Sequence, residues 1–288
     1  MEKQPCLNLC EILQPIIGTG SICEKINQAM HMGEMTKCER IYFGSYFCGQ
    51  YFVHLPKVQV EQLINFCKQH QMKLTLVIPI LTQKHLKRGK EKLKELSIFF
   101  GKDIDEITVN DYGMLVYLYE KYHLEQESIG EKPFKLNLGR LLFKDYRDPR
   151  YTEYFNLPFK PRSFTNYMRE MIKQYKIHCL ELDPTHAVID LSECPNEVLI
   201  GMHTPYCYET VGQICQMAGI HQPIEKKFRP NESCQKECEK EQIHYFSEGD
   251  YTWLKHGRTV YFKNPECKVI GARKIRSIYC PLEWEEER

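Results

Sequence analysis

LTLVIPILTQKHLKRGKEKLKELSIFFGKDIDEITV, residues 74–109, reads as one strand–helix–strand unit. Leu74 to Ile78 is a short apolar run with β-branched residues, closed by Pro79. From His85 to Phe100, Leu86, Leu93, Leu96 and Phe99 return at helical spacing, which predicts a helix with a basic start. Glu106 to Val109 is again of strand length. Two strands joined by a helix of this length pair in parallel, because the crossover brings the chain back to the same end of the sheet.

The same alternation extends both ways. Upstream lie a predicted helix, Ser21 to Gly33 with Ser21 as N-cap, a strand at Arg40–Gly44, and a helix at Val58–His70. That helix carries Val60, Leu63, Ile64 and Cys67 on one face. Downstream come helices at Gly113–Tyr122 and Thr165–Tyr175, and strands at Phe134–Leu138, Ile177–Leu182, Val188–Leu191 and Val198–Ile200. So many βαβ units predict a TIM-like (β/α) barrel, complete or incomplete, over residues 1–205. From about Tyr206 cysteines cluster and charge rises. Residues 206–288 are therefore expected to form a small Cys-rich, β-containing element packed on the barrel.

The chain has 288 residues, 42% of them apolar, enough for a barrel with a full core. Its 39 Lys and Arg against 38 Asp and Glu leave a formal charge of +1, so no strong field favours nucleic acid or an anionic membrane. Neither a signal peptide nor a membrane-spanning run is visible, which places the protein in the cytoplasm. In that compartment fourteen cysteines predict thiols or metal ligands rather than disulfides.

Cys207, Cys215, Cys234 and Cys238 follow the spacing C-x7-C-x18-C-x3-C. Thiolates are soft ligands for zinc or iron–sulfur clusters. The two C-x2-C knuckles of a zinc ribbon are absent from this run, and irregular spacing suits ligands gathered from several loops. Spacing alone leaves scattered buried thiols as the rival reading.

Arg40-Ile-Tyr-Phe-Gly-Ser-Tyr-Phe-Cys48 resembles the opening strand of the collagenase-like "U" peptidase family, the peptidase U-32 type. Val109-Asn-Asp-Tyr-Gly113 and Leu136-Asn137 resemble two later strand ends. His203-Thr-Pro-Tyr-Cys207 has the spacing of the family's His-Gly-Ala-Leu-Cys. Gly212-Gln-Ile-Cys215 and Cys234-Gln-Lys-Glu-Cys238 follow in the family's order. The resemblance covers roughly residues 15–245 and is nearest the short, UbiV-like members, which lack an extra C-terminal domain. Thr204, Val211 and Glu239 depart from the pattern.

This resemblance implies a [4Fe-4S] cluster held by Cys48, Cys215, Cys234 and Cys238, with Cys207 in place of Cys48 as the other arrangement. It implies oxygen-independent hydroxylation or a related redox step in an anaerobic setting, as catalytic or accessory subunit, beside a hetero-partner of the same family. A rival class is a non-catalytic iron–sulfur or zinc scaffold that binds a protein or RNA. A peptidase, the family's historical label, finds no Ser-His-Asp set, Cys-His nucleophile or H-E-x-x-H motif.

Asn110, Asp111, Asn137, Glu181, Asp183 and His203 lie at or near predicted strand ends, where a parallel barrel places its active site. The first three and His203 are the catalytic candidates for a small-molecule substrate, and capping is the alternative role. Arg140, Arg147, Arg150 and Arg162 are candidates for gripping a carboxylate. The basic run Lys84–Lys94 is read as a solvated helix face, with RNA phosphate the sharper alternative.

Overall fold

The computed structural model describes residues 3–10, 22–143, 147–150, 165–220, 222–229, 234, 237–239, 244–264, 266–271 and 275–282. The expected Ser21 cap and Arg162 lie outside them.

The elements run β1 (Lys3–Asn8), α1 (Ile22–Met32), β2 (Arg40–Gly44), α2 (Gly49–Val53), α3 (Lys57–Gln69), β3 (Lys73–Ile78), α4 (Gln83–Leu96) and β4 (Glu106–Val109). Then come α5 (Tyr112–Leu118), α6 (Leu124–Ser128), β5 (Lys135–Leu138), α7 (Asn166–Gln174), β6 (Ile177–Leu182), β7 (Ile189–Asp190), β8 (Leu199–Thr204) and β9 (Tyr206–Val211). The last are α8 (Gln216–Gly219), α9 (Ile224–Lys227), β10 (His244–Glu248), β11 (Tyr251–His256), β12 (Thr259–Lys263), β13 (Val269–Ile270) and β14 (Ile275–Tyr279).

A closed, all-parallel barrel runs β1-β2-β3-β4-β5-β6-β8 and back through β14 to β1. The predicted TIM-like architecture is therefore present and complete. Three expectations change. Arg40–Gly44 is the second barrel strand, because Lys3–Asn8 pairs with it and opens the barrel. The barrel also does not end at residue 205, since Ile275–Tyr279 fills the gap between β8 and β1. Its Arg276 and Ser277 break the apolar run by which a parallel strand is spotted. The expected strand at Val188–Leu191 is only β7, which pairs with β13 outside the barrel.

Alternation along each strand sorts the side chains. Ile41, Phe43, Leu74, Leu76, Ile107, Val109, Leu136, Leu180 and Ile200 point outward and pack under the helices in one large apolar cluster. Helix α4 joins that cluster through Leu93 and Leu96, which are fully buried. The opposite face of the same strands points into the barrel and is largely polar: Arg40, Tyr42, Glu106, Thr108, Asn137, Glu181, His203 and Arg276, all buried.

Between β8 and β14 the chain makes a second, antiparallel sheet in the order β10-β11-β12-β9. Its Tyr206, Tyr208, Leu254 and Tyr261 form one buried cluster with Tyr42, Tyr46, Phe47, Val77 and Ile278 of the barrel. This sheet thus lies over the C-terminal mouth of the barrel and covers the axial approach.

Candidate functional site

The barrel interior holds three polar tiers. In the lowest, Arg276 donates to both Glu106 carboxylate oxygens (2.7 and 3.1 Å), and Arg40 approaches the same carboxylate at 3.0 Å. Asn137 Nδ2 adds a bond of 2.9 Å. Burial works against the charge, but the two guanidinium groups win and hold the Glu106 carboxyl down at about 2.

The middle tier centres on Glu181. Tyr46 Oη donates to its Oε2 at 2.7 Å and Thr108 Oγ1 to its Oε1 at 2.6 Å, while His203 Nε2 stands 3.4 Å away. Burial pushes the Glu181 carboxyl up to about 7, against the lowering effect of its two hydroxyl donors. Burial and then the Arg140 charge hold His203 well below the ordinary histidine range. The upper tier pairs Arg140 with Asp183, which Arg147 also meets at 3.3 Å. The Arg140 guanidinium lies between the rings of Tyr46, Phe47 and Tyr208, at 5.7, 5.6 and 5.4 Å.

Beside the covered mouth is a side pocket. Cys48, Cys215, Cys234 and Cys238 all line it, and about 810 Å³ of empty space, part of it open to solvent, lies within it. Three separate segments bring these thiols together. Cys48 caps α2, and its Sγ accepts the Tyr51 N–H at 3.5 Å. Cys215 sits at the start of α8. Cys234 and Cys238 follow α9, and the β11–β12 turn approaches through Gly257, where a Cβ would stand 3.9 Å from the Cβ of Cys238.

All four thiols are half-buried, and none of the fourteen cysteines forms a disulfide. Lys226, Lys227, Arg229 and Arg258 also line the pocket, with His85 and His256, and among the described residues no Asp or Glu does. Among the described residues, no three His, Cys, Asp or Glu side chains stand close enough to chelate a single ion. The donor set suits a group held by soft sulfur ligands at several points, with cations around it to balance thiolate charge.

Cys207 is elsewhere. It is fully buried on β9 with Trp253 and Phe262, and burial pushes its thiol well above the usual range. Its Sγ donates to the Tyr208 carbonyl at 3.5 Å. The arrangement with Cys207 in place of Cys48 therefore has no support in the geometry.

Two of the catalytic candidates hold backbone. Asn110 bridges strands by donating to the Ile78 carbonyl at 2.9 Å and accepting the Leu141 N–H at 3.3 Å. Asp111 caps α5 through the Met114 N–H at 2.7 Å. Asn137 and His203 face the barrel interior, inside the polar tiers rather than in the cysteine pocket. Arg140 and Arg147 are committed to Asp183, and Arg150 lies exposed on Asp148 and Glu248.

The basic run lies on α4, and two of its members have specific contacts. Lys92 donates to the Leu55 carbonyl at 2.8 Å, and Lys90 lies 4.6 Å from the Tyr117 ring centre. His85, beside these basic residues on α4, is buried and lines the pocket. Its position on the same helix stripe as Gly89 and Leu93 is the signal that marks it as inward. No helix among the described residues is long and apolar enough to cross a membrane.

No protein-family model, curated protein or solved structure matches the chain.

Proposed function

We propose that the side pocket holds a [4Fe-4S] cluster on Cys48, Cys215, Cys234 and Cys238, and that the protein serves oxygen-independent hydroxylation or a related redox step. The observation that carries this reading is the meeting of these four cysteines, drawn from three segments of the chain, in one pocket at the barrel end. The resemblance to the collagenase-like "U" peptidase family, nearest its UbiV-like members, picks out the same four. Surplus cations among the lining residues support it too, because four thiolates around such a cluster carry net negative charge.

When bound, the group supplies one-electron chemistry at a potential set by its surroundings. The chain supplies the rest. Tyr208 and Tyr261 of the second sheet cover the axial mouth with Phe47, so a reacting partner meets the site from the side. Lys226, Lys227 and Arg229 stand at that approach. By the same resemblance the protein works as a catalytic or accessory subunit, next to a second member of the family.

Anaerobic purification and reconstitution test the reading by iron and sulfide analysis with visible and paramagnetic resonance spectra. A brown protein with the full [4Fe-4S] complement is expected. Alanine at Cys48, Cys215, Cys234 or Cys238 should abolish that complement, and Cys207→Ala should keep it. A colourless wild-type protein carrying zinc would sink the proposal, as would a full cluster in any of the first four variants.

A further inference from the structure

His85 is the third residue of α4, and its side chain turns back to Thr82, the residue that caps the helix. Thr82 Oγ1 and His85 Nδ1 are 3.0 Å apart. The imidazole is only 3% exposed. Its other nitrogen, Nε2, is buried with no hydrogen-bond partner. A polar atom withdrawn from water and left unpaired costs about 1–3 kcal/mol, so such an atom calls for a partner.

The ring lines the cysteine pocket. It packs against the start of α2, where a Cβ on Gly49 would stand 3.3 Å from its Nδ1. Gly49 directly follows Cys48. The imidazole that carries the unpaired nitrogen therefore lines the same pocket as Cys48 and packs against the residue that follows it.

We infer that His85 is a positioning residue that donates a hydrogen bond from Nε2–H to sulfur of the cluster site, with the Thr82 hydroxyl bonded to Nδ1 and orienting the ring. This rests on the cluster reading above. With four thiolates filling the ligand set, the acceptors that remain at such a site are sulfur lone pairs. Only a donor satisfies them. With the ring proton on Nε2, as this role requires, Nδ1 accepts from the Thr82 hydroxyl at 3.0 Å. The cations at the pocket sit on long flexible stems, whereas this imidazole is locked by burial and by its Thr82 bond. A donor aimed at cluster sulfur stabilises the more negative, reduced state, so it raises the reduction potential.

The test is an anaerobic redox titration, followed by paramagnetic resonance, of cluster-loaded wild type, His85→Phe, His85→Gln and Thr82→Val. Iron and sulfide content is measured in each. His85→Phe should keep its cluster and lower the reduced-to-oxidised ratio at fixed potential about tenfold, a shift of about 59 mV to more negative potential for one electron. His85→Gln, which keeps an N–H, should shift less. Thr82→Val should shift in the same direction as His85→Phe, and it carries the test if the phenylalanine variant does not fold.

A loaded His85→Phe protein with the wild-type midpoint overturns the inference and leaves the cluster reading standing. A well-folded His85→Phe protein that has lost its cluster makes His85 a ligand and overturns the donor role. A wild-type chain that takes up no iron defeats the cluster reading itself.

Discussion

Tyr46 and Cys48 stand two residues apart on the loop after β2 and serve opposite sides of it: Tyr46 Oη donates to Glu181 inside the barrel, and Cys48 lines the side pocket. One short turn therefore ties the buried carboxyl to the proposed ligand. Ser45 holds the turn, its Oγ accepting the N–H groups of Phe47 (3.2 Å) and Cys48 (2.7 Å). Gly44 starts it at φ +108°.

Gly44→Ala should break this turn. The new Cβ would enter a conformation that side chains avoid and would meet the Val77 carbonyl oxygen. We expect a loss of at least about 2 kcal/mol in urea unfolding, together with reduced iron uptake. Unchanged stability would show that the turn relaxes freely and does not fix Cys48.

Glu181 should make stability fall as pH rises through a defined window. Its carboxyl titrates at 4.5 when unfolded and at about 7 when folded, raised by burial. Between those values the folded chain binds a proton that the unfolded chain has released, so each step up in pH favours unfolding. The full effect is about 3 kcal/mol. Glu181→Gln should remove this slope between pH 4.5 and 7, and parallel stability curves for the two proteins would contradict it.

Glu106 should behave in the opposite sense. Held at about 2 by Arg40 and Arg276, it stabilises the fold above pH 4.5, and that contribution is lost as pH falls toward 2. Glu106→Gln leaves two buried guanidinium groups near a neutral amide. A loss of about 3–5 kcal/mol at pH 7 is expected by chemical denaturation. A loss below about 1 kcal/mol would mean that water or Asp105 takes over both cations.

The barrel was legible because its outward faces carry apolar residues at strand and helix spacing, as in Leu74–Ile78 and α4. Its closing strand was not, because Ile275–Tyr279 puts Arg276 into the interior where an apolar residue is expected. The polar interior is in fact written as alternation, in Arg40-Ile-Tyr-Phe and Glu106-Ile-Thr-Val, but the apolar half of each run alone marks it as a strand. The cysteines show the same limit. Spacing grouped Cys207 with Cys215 by nearness in sequence, whereas strand alternation turns Cys207 into the core beside Trp253. Asn110 and Asp111 sit at a strand end as expected, but their side chains are consumed by the Ile78 carbonyl and the α5 N-terminus.

Asp183→Asn should loosen the cap over the barrel. Asp183 faces Arg140 on one oxygen and Arg147 on the other, and both guanidinium groups lie against the Tyr208 ring, at 5.4 and 4.2 Å. Tyr208 Oη in turn donates to the Arg140 carbonyl at 3.1 Å, which fastens β9 to the loop after β5. Burial opposes the Asp183 charge, but the two arginines hold its carboxyl below the usual range. The asparagine cannot balance them, so about 3–5 kcal/mol should be lost at pH 7. Wild type should lose the same contribution progressively as pH falls below 3.8, and the variant should not. Phe47 packs on Tyr208 with ring centres 5.1 Å apart and also lines the cysteine pocket, so the loosening should reach the site. Near-ultraviolet dichroism of the tyrosines should weaken while the far-ultraviolet signal holds. An unchanged tyrosine signal alongside a full loss of stability would place the role of Asp183 in the barrel alone.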